Sequence, residues 1–301
     1  TQTLLEAPIR LPQNRPTSEA TIPSETFAYE DFERTRQIGS GGSADVYKAE
    51  LTTDSSRYPV ALKLPRVSSD ETVDTASVVD MIEEAEVWDE IDDHHRIVSV
   101  YDWGSEPLPW IAMEYMAGGT LDDQRDRMSQ TEIFTELEGL CEGLHHAHRS
   151  GITHTDIKPG NILFTADAPD GYGKLTDWGL ANVLLDHSMS VHGLTPEYSA
   201  PEQLRPETYG GTDDRTDIYQ LGVVAYELLT DALPFEGSSH GERITATLQE
   251  DPIPPSAVTS EIPASLDEVL LTALAKDKDK RYETALHFRD DLRRVYHADI
   301  A

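Results

Sequence analysis

A short polar stretch, His154-Thr155-Asp156-Ile157-Lys158-Pro159-Gly160-Asn161, followed by Asp177-Trp178-Gly179, constrains this chain more than any other feature. Two carboxylates and an amide of this kind can hold a metal and a nucleophile beside a phosphate. Phosphoryl transfer asks little covalent chemistry of a protein; it needs positioning and neutralised charge. Asp156 can accept a hydroxyl proton. Asn161 and Asp177 offer hard oxygens to Mg²⁺, which leaves its other positions to phosphate and water. Taken singly, each of these residues reads as turn or cap chemistry; the ordered set does not.

Upstream, Ile38-Gly39-Ser40-Gly41-Gly42-Ser43-Ala44-Asp45-Val46 is a glycine-rich turn between two strand-like runs. Glycines let a backbone turn tightly and lie against phosphate oxygens. Alone, such a loop is as well explained by a hairpin, and no Gly-Lys-Ser/Thr follows to make it a Walker-type loop. After a polar turn, Val60-Ala61-Leu62-Lys63-Leu64 alternates as a strand. Lys63 there is either an exposed edge residue or a buried cation that needs an anionic partner.

Residues 70–93 contain eleven Asp or Glu and no Lys or Arg. Met81, Trp88 and Ile91, with Val78, Ile82 and Ala85 beside them, form a helical apolar stripe. Glu84 shares that stripe, whereas Glu86 falls with Asp89, Glu90 and Asp93 on a polar face. Most of these acids form a solvated face whose mutual repulsion weakens the helix at low salt. Ile97 to Asp102 and Trp110 to Tyr115 read as strands. The chain then turns helical. Ser129-Gln130-Thr131-Glu132 resembles a capping box, and Gly151 closes that helix. Asp217 opens an apolar helix buried on most sides, and Ser265 to Ala275 reads as a capped amphipathic helix. His145, His146 and His148 lack a matching cluster of metal ligands and read as helix-end residues. Thr1 to about Glu33, with four prolines among Ser, Thr and Glu, reads as a flexible tether, with Phe27, Tyr29 and Phe32 able to dock it. No repeat recurs at a fixed period.

The formal net charge is −32, and only seven basic residues are Lys. That balance disfavours nucleic-acid or anionic-membrane partners and fits a surface adapted to very high salt, so a salt-loving source is expected. The lone Cys141 excludes an intrachain disulfide and fits a reducing, cytoplasmic setting. No stretch approaches the ~18 apolar residues of a membrane helix. The chain opens on Thr1, as a fragment of a longer, membrane-attached protein would.

These motifs, in this order, resemble those of bacterial-type (Hanks-type) serine/threonine protein kinases over roughly Phe32 to Tyr296. The resemblance implies an α+β, two-lobed fold: a small antiparallel sheet with one helix, then a mainly helical lobe. It places an extension at 1–31, an ATP-binding lobe at 32–117, a catalytic lobe at 118–297 and a terminal piece at 298–301. It implies transfer of the γ-phosphate of ATP to Ser/Thr hydroxyls of protein substrates, with Mg²⁺ or Mn²⁺, and self-association for autophosphorylation. By resemblance Asp156 is the catalytic base, Lys158 meets the γ-phosphate, and Asn161 and Asp177 hold the metal. Lys63 pairs with the α/β-phosphates and with Glu84, preferred over Glu83 and Glu86. The nucleotide site includes the loop Ile38 to Ala44, then Val46, Ala61, the gatekeeper Met113, the Glu114 to Met116 backbone, and Leu163. Thr195 is the substrate-pocket threonine, and Pro201-Glu202 closes an A-P-E segment. Glu202 would pair with Arg281, while Asp217 anchors the catalytic loop.

Three departures stand out: Thr155 for the usual Arg, Trp178 for Phe, and Ala44 for the third glycine. They keep two alternatives in view, a nucleotide-binding pseudokinase scaffold and a small-molecule kinase; the A-P-E segment and Thr195 speak against the second. The Arg that Thr155 replaces usually receives a phosphate from the activation loop, where Ser188 and Ser190 are candidate phosphosites. Without it the loop loses one charge-assisted partner. Replacing Ser188 and Ser190 by Ala should therefore change the phosphotransfer rate by less than about tenfold, one charge-assisted contact at most; a drop of orders of magnitude would refute this.

Overall fold

The computed structural model describes residues 26–41, 44–53, 56–66, 75–168, 170–178 and 195–300. Expectations for Gly42, Ser43, Gly179, Ser188, Ser190 and the tether before residue 26 lie outside these residues. The small lobe is a five-stranded antiparallel sheet of β1 (Phe32–Ser40), β2 (Ala44–Thr52), β3 (Arg57–Pro65), β4 (Val100–Gly104) and β5 (Trp110–Glu114), in the order β1-β2-β3-β5-β4. β3 is central, so Val60 to Pro65 are buried on both faces rather than on one. Alternation still sorts the side chains. Val60, Leu62 and Leu64 join Phe32, Leu51 and Trp110 in an outer cluster, while Ala61 faces the main core and Lys63 faces the cleft.

Phe27 and Tyr29 pack on that outer cluster. The Phe27 ring meets Phe32 edge-on at 6.1 Å, and its N–H donates to Asp102 Oδ2 at 2.6 Å. The end of the expected tether is thus docked on the sheet.

Helix α1 (Thr75–Asp89) lies beside the sheet. Met81, Ala85 and Trp88 are buried in the main core, and Glu83, Glu86, Asp89 and Glu90 are exposed. Ile97 to Ser99 depart from the expected strand. β4 begins only at Val100, and the preceding residues cross to the large lobe. There they pair with β8 (Gly173–Leu175), which forms a second sheet with β6 (Gly119–Thr120) and β7 (Ile162–Phe164). Val98 N–H donates to the Leu175 carbonyl at 2.9 Å, and Leu175 N–H donates to the Arg96 carbonyl at 2.8 Å. Apolar, β-branched residues specify an extended chain but not its partner.

The large lobe is built on α2 (Gln130–Arg149), α3 (Asp214–Thr230), α4 (His240–Gln249), α5 (Ser265–Ala273) and α6 (Ala285–Val295), with several single-turn helices between them. α2 starts at the expected box: Ser129 Oγ accepts from Glu132 N–H, and Glu132 Oε2 accepts from Ser129 N–H at 2.6 Å. It stops at Gly151, whose φ of +76° is open to glycine at little cost. Gly139 on α2 makes room for buried Arg96, since a Cβ there would lie 2.2 Å from the guanidinium carbon. Arg96 is held by ion pairing with Glu136 and by the Gly173 carbonyl. α5 lacks the expected cap, because its N-cap is Ala264 and the Ser265 hydroxyl turns to Asp299 instead. α3 begins at Asp214 with Asp213 as its cap, so Asp217 sits inside the helix and does not start it.

Glu202 and Arg281 form a bidentate pair at 2.7 and 2.8 Å with both side chains 0% exposed. Thr216 and the Ala275 carbonyl satisfy the remaining valences. Removing one member strands a buried charge, so Arg281→Met should cost about 3–5 kcal/mol in urea unfolding. A cost under ~1 kcal/mol would mean the charge finds water.

Candidate active site

The cleft between the lobes has a volume of about 610 Å³. Its roof is the glycine turn, where Gly41 N–H donates to the Ala44 carbonyl at 2.8 Å and closes the hairpin tightly. The Ser40 hydroxyl donates to Asp45 at 2.8 Å, and Arg66 reaches both. Ile38, Gly39, Ala44, Val46, Ala61 and Met113 line the upper wall, with Glu114, Met116, Leu163, Asn161 and Asp177 below and behind.

Lys63 is the electrostatic centre of the cleft. Its ammonium donates to Glu84 Oε1 and Oε2 at 2.6 and 2.8 Å and to Asp177 Oδ1 at 2.8 Å. Burial works against the Lys63 ammonium, but Asp177 and Glu84 outweigh it and hold its pKa above the ordinary value. Burial likewise pushes the Glu84 carboxyl up, with Lys63 opposing. Lys63 holds Asp177 well below the usual carboxylate range, against the effect of burial. Asp177 nonetheless remains 48% exposed on its side chain, open to the cleft.

Below the cleft, the loop from Ile152 to Asn161 has almost no regular structure, so its shape needs outside anchors. Asp217, 0% exposed, supplies them: Oδ2 accepts from His154 N–H at 2.8 Å and Oδ1 from Thr155 N–H at 2.7 Å. Two residues complete the clamp: Gln220, given no role by the sequence, and His148, expected there only as a helix-end residue. Gln220 accepts from Ile157 N–H at 3.0 Å and donates to the Thr155 carbonyl at 3.1 Å. His148 Nε2 lies 2.7 Å from Asp217 Oδ2. Asp217 and Gln220, three apart in an apolar helix, face one side together, and that spacing is a signal the sequence did carry. Thr155 sits at φ 61°, costly for a β-branched residue. These bonds hold it there. Its hydroxyl has no hydrogen-bond partner among the described residues.

The clamp presents Asp156 at the cleft floor. Asp156 Oδ2 accepts from Lys158 Nζ at 2.7 Å and Asn161 Nδ2 at 3.0 Å, and Lys158 also donates to Thr195 Oγ1 at 3.1 Å. His154 Nδ1 accepts from Asp156 N–H at 3.3 Å, and its Nε2 lies 3.0 Å from the Thr176 carbonyl, so the ring is held at both nitrogens. The Trp178 ring packs on His154 at 4.5 Å and is 1% exposed. The bulkier residue is therefore accommodated inside, with Asp177 still directed at Lys63.

The donor atoms suit magnesium. The Asn161 amide nitrogen is spent on Asp156, leaving its carbonyl oxygen, and Asp177 offers a carboxylate to the same cleft. Among the described residues no group of three His, Cys, Asp or Glu could cage an ion. An ion here must keep waters or phosphate oxygens, as magnesium does.

A family description, protein kinase domain, matches residues 32–291. The chain belongs to the protein kinase family. It is 39% identical to the serine/threonine-protein kinase PknB of Mycobacterium tuberculosis over 68% of this chain and 34% of that protein. It is 34% identical to the serine/threonine-protein kinase Pkn1 of Myxococcus xanthus over 96% of this chain and 42% of that one. A probable serine/threonine-protein kinase PknB of Bifidobacterium longum shares 36% identity over 85% of this chain and 38% of its own length. The kinase chain thus spans well under half the length of these curated relatives. Among its described residues no helix is long and apolar enough to cross a membrane.

In this site, burial pushes the Asp156 carboxyl above its ordinary value and Lys158 opposes the shift. A group so raised needs a higher pH to ionise. Lys158→Met removes the opposing charge, so the acid limb of kcat/KM should move to higher pH, by up to about one unit per 1.4 kcal/mol of lost attraction. An acid limb that stays put, or moves down, would separate Lys158 from Asp156 ionisation.

Proposed function

We propose that this chain is an ATP-dependent serine/threonine protein kinase. The observation that carries the reading is the contact set Asp156–Lys158–Thr195, joined through Asn161 to a cleft lined by Lys63 and Asp177, with Glu84 bonded behind Lys63. A proton acceptor, a cation and the residue bordering the peptide platform meet at one point, beside a pocket of nucleotide size.

The roles follow from these positions. Amides of the glycine turn and the Lys63 ammonium take the phosphates of ATP, and the Glu114 to Met116 backbone takes the edge of the purine. Asn161 and Asp177 would hold magnesium, which when bound supplies charge neutralisation across the phosphates. Lys63 then shares Asp177 with the incoming charges and keeps Glu84. Asp156 orients a Ser or Thr hydroxyl in line with the γ-phosphorus and takes its proton as the new P–O bond forms and ADP leaves. Lys158 offsets charge on the transferring group. Thr195, bonded to Lys158, ties the hydroxyl-bearing peptide to the same point. Protein substrates, including other copies of this chain, are the acceptors this platform suits, and the single buried thiol Cys141 is at home in a reducing cytoplasm.

The test uses labelled ATP and magnesium in molar KCl, with a generic protein substrate and the chain itself as acceptors. Wild type should transfer label, and Asp156→Ala should lower the rate about 10²–10⁴-fold, the worth of a positioned base. ATP binding without transfer in either form would leave a nucleotide-binding scaffold instead.

A further inference from the structure

A buried ion pair that the site assignments above do not use ties β8 to the end of β5. Lys174 on β8 is 2% exposed, and its ammonium donates to both oxygens of Glu114 at 3.0 and 2.9 Å. The Glu114 side chain is only 14% exposed. Glu114 ends β5 and begins the backbone run that borders the cleft. It is tied on its other side to Ser99: its N–H donates to the Ser99 carbonyl at 2.9 Å, and its Oε2 accepts from Ser99 N–H at 3.3 Å.

The place of Lys174 in the chain makes the pair more than a local contact. The next residue, Leu175, takes the backbone of Arg96 and Val98. Three residues after Lys174 comes Asp177, bonded to Lys63. One short strand therefore grips the purine side of the cleft by a side chain, the segment after α1 by its backbone, and the carboxylate of Asp177 at its end.

We propose that Lys174 is a positioning residue for nucleotide binding. It neutralises Glu114 from behind the cleft and so fixes the Glu114 to Met116 backbone edge where a purine base lies. This rests on the reading that the cleft takes ATP. A carboxylate stripped of its buried cation must turn towards water. Glu114 is the last residue of its strand, so that turn carries the adjoining backbone groups with it. Phosphate contacts from Lys63 and the glycine turn are made elsewhere and survive.

The experiment compares wild type, Lys174→Met and the double variant Glu114→Leu/Lys174→Met in the whole chain. It reads ADP affinity by calorimetry, and KM for ATP, KM for the protein substrate and kcat by phosphotransfer. Lys174→Met should weaken ADP binding and raise KM for ATP about tenfold, with kcat at saturating ATP within about threefold. The double variant should recover most of that affinity, because Glu114 is then no longer left charged without its cation. Unchanged ADP affinity in a destabilised Lys174→Met would overturn the proposal, since the pair would then be structural only. So would a double variant that binds no better than the single one. If Lys174→Met fails to fold, Lys174→Gln, which keeps a hydrogen-bond donor without the charge, decides: ADP affinity weakened severalfold with KM for the protein substrate unchanged supports the proposal, and wild-type ADP affinity overturns it. A wild-type chain that binds ADP but transfers no phosphate counts against the proposed activity alone; the calorimetric comparison still decides the role of Lys174.

Discussion

A carboxylate with no access to water must be met by donors, and Asp217 is such a group, 0% exposed inside α3. Its two oxygens are satisfied by the backbone of His154 and Thr155 and by the His148 ring. The loop that carries Asp156, Lys158 and Asn161 has almost no hydrogen-bonded structure of its own. Its shape, including the left-handed turn at Thr155, follows from satisfying that one buried charge. The geometry of the candidate site is thus set from beneath, by α3.

Above the loop, Lys63 balances two carboxylates of different character. Glu84 is buried and bonded through both oxygens, whereas Asp177 is half open to the cleft. Of the two, Asp177 is the one placed to exchange a partner when phosphate charge arrives. The exposed acids of α1 stand on the far side of the same helix, so their repulsion acts on the element that delivers Glu84 without entering the site.

What the sequence revealed and what it hid divide along a physical line. Loop motifs with dedicated chemistry were legible residue by residue, because their spacing is local: Asp156 to Asn161, the Ser129 box, and Glu84 on the apolar stripe of α1. Partners distant in sequence were legible only where the family resemblance supplied them, as for Glu202 with Arg281. Lys174 with Glu114, and Val98 with Leu175, depend on how the lobes are joined, and neither hydropathy period nor strand propensity encodes a partner. Gln220 lies between these cases, since its spacing from Asp217 was visible but a lone Gln in an apolar helix carries no chemistry of its own. Ser265 shows the reverse error, in which a good cap residue was claimed by a tertiary contact with Asp299.

The crossing of Arg96 to Val98 into the large lobe has a mechanical meaning. It clamps the trailing end of α1 to the lobe that bears Asp156, and Trp88 Nε1–H adds a bond to the Val98 carbonyl at 2.7 Å. A rotation of α1 about that trailing end would act like a door on a post. Glu84 sits about five residues from that post, some 7 Å along the axis, so a rotation of about 20° carries its carboxylate roughly 2.5 Å. That travel is comparable to the whole length of its bond to Lys63. A modest angular change at the pivot is enough to make or unmake the pair.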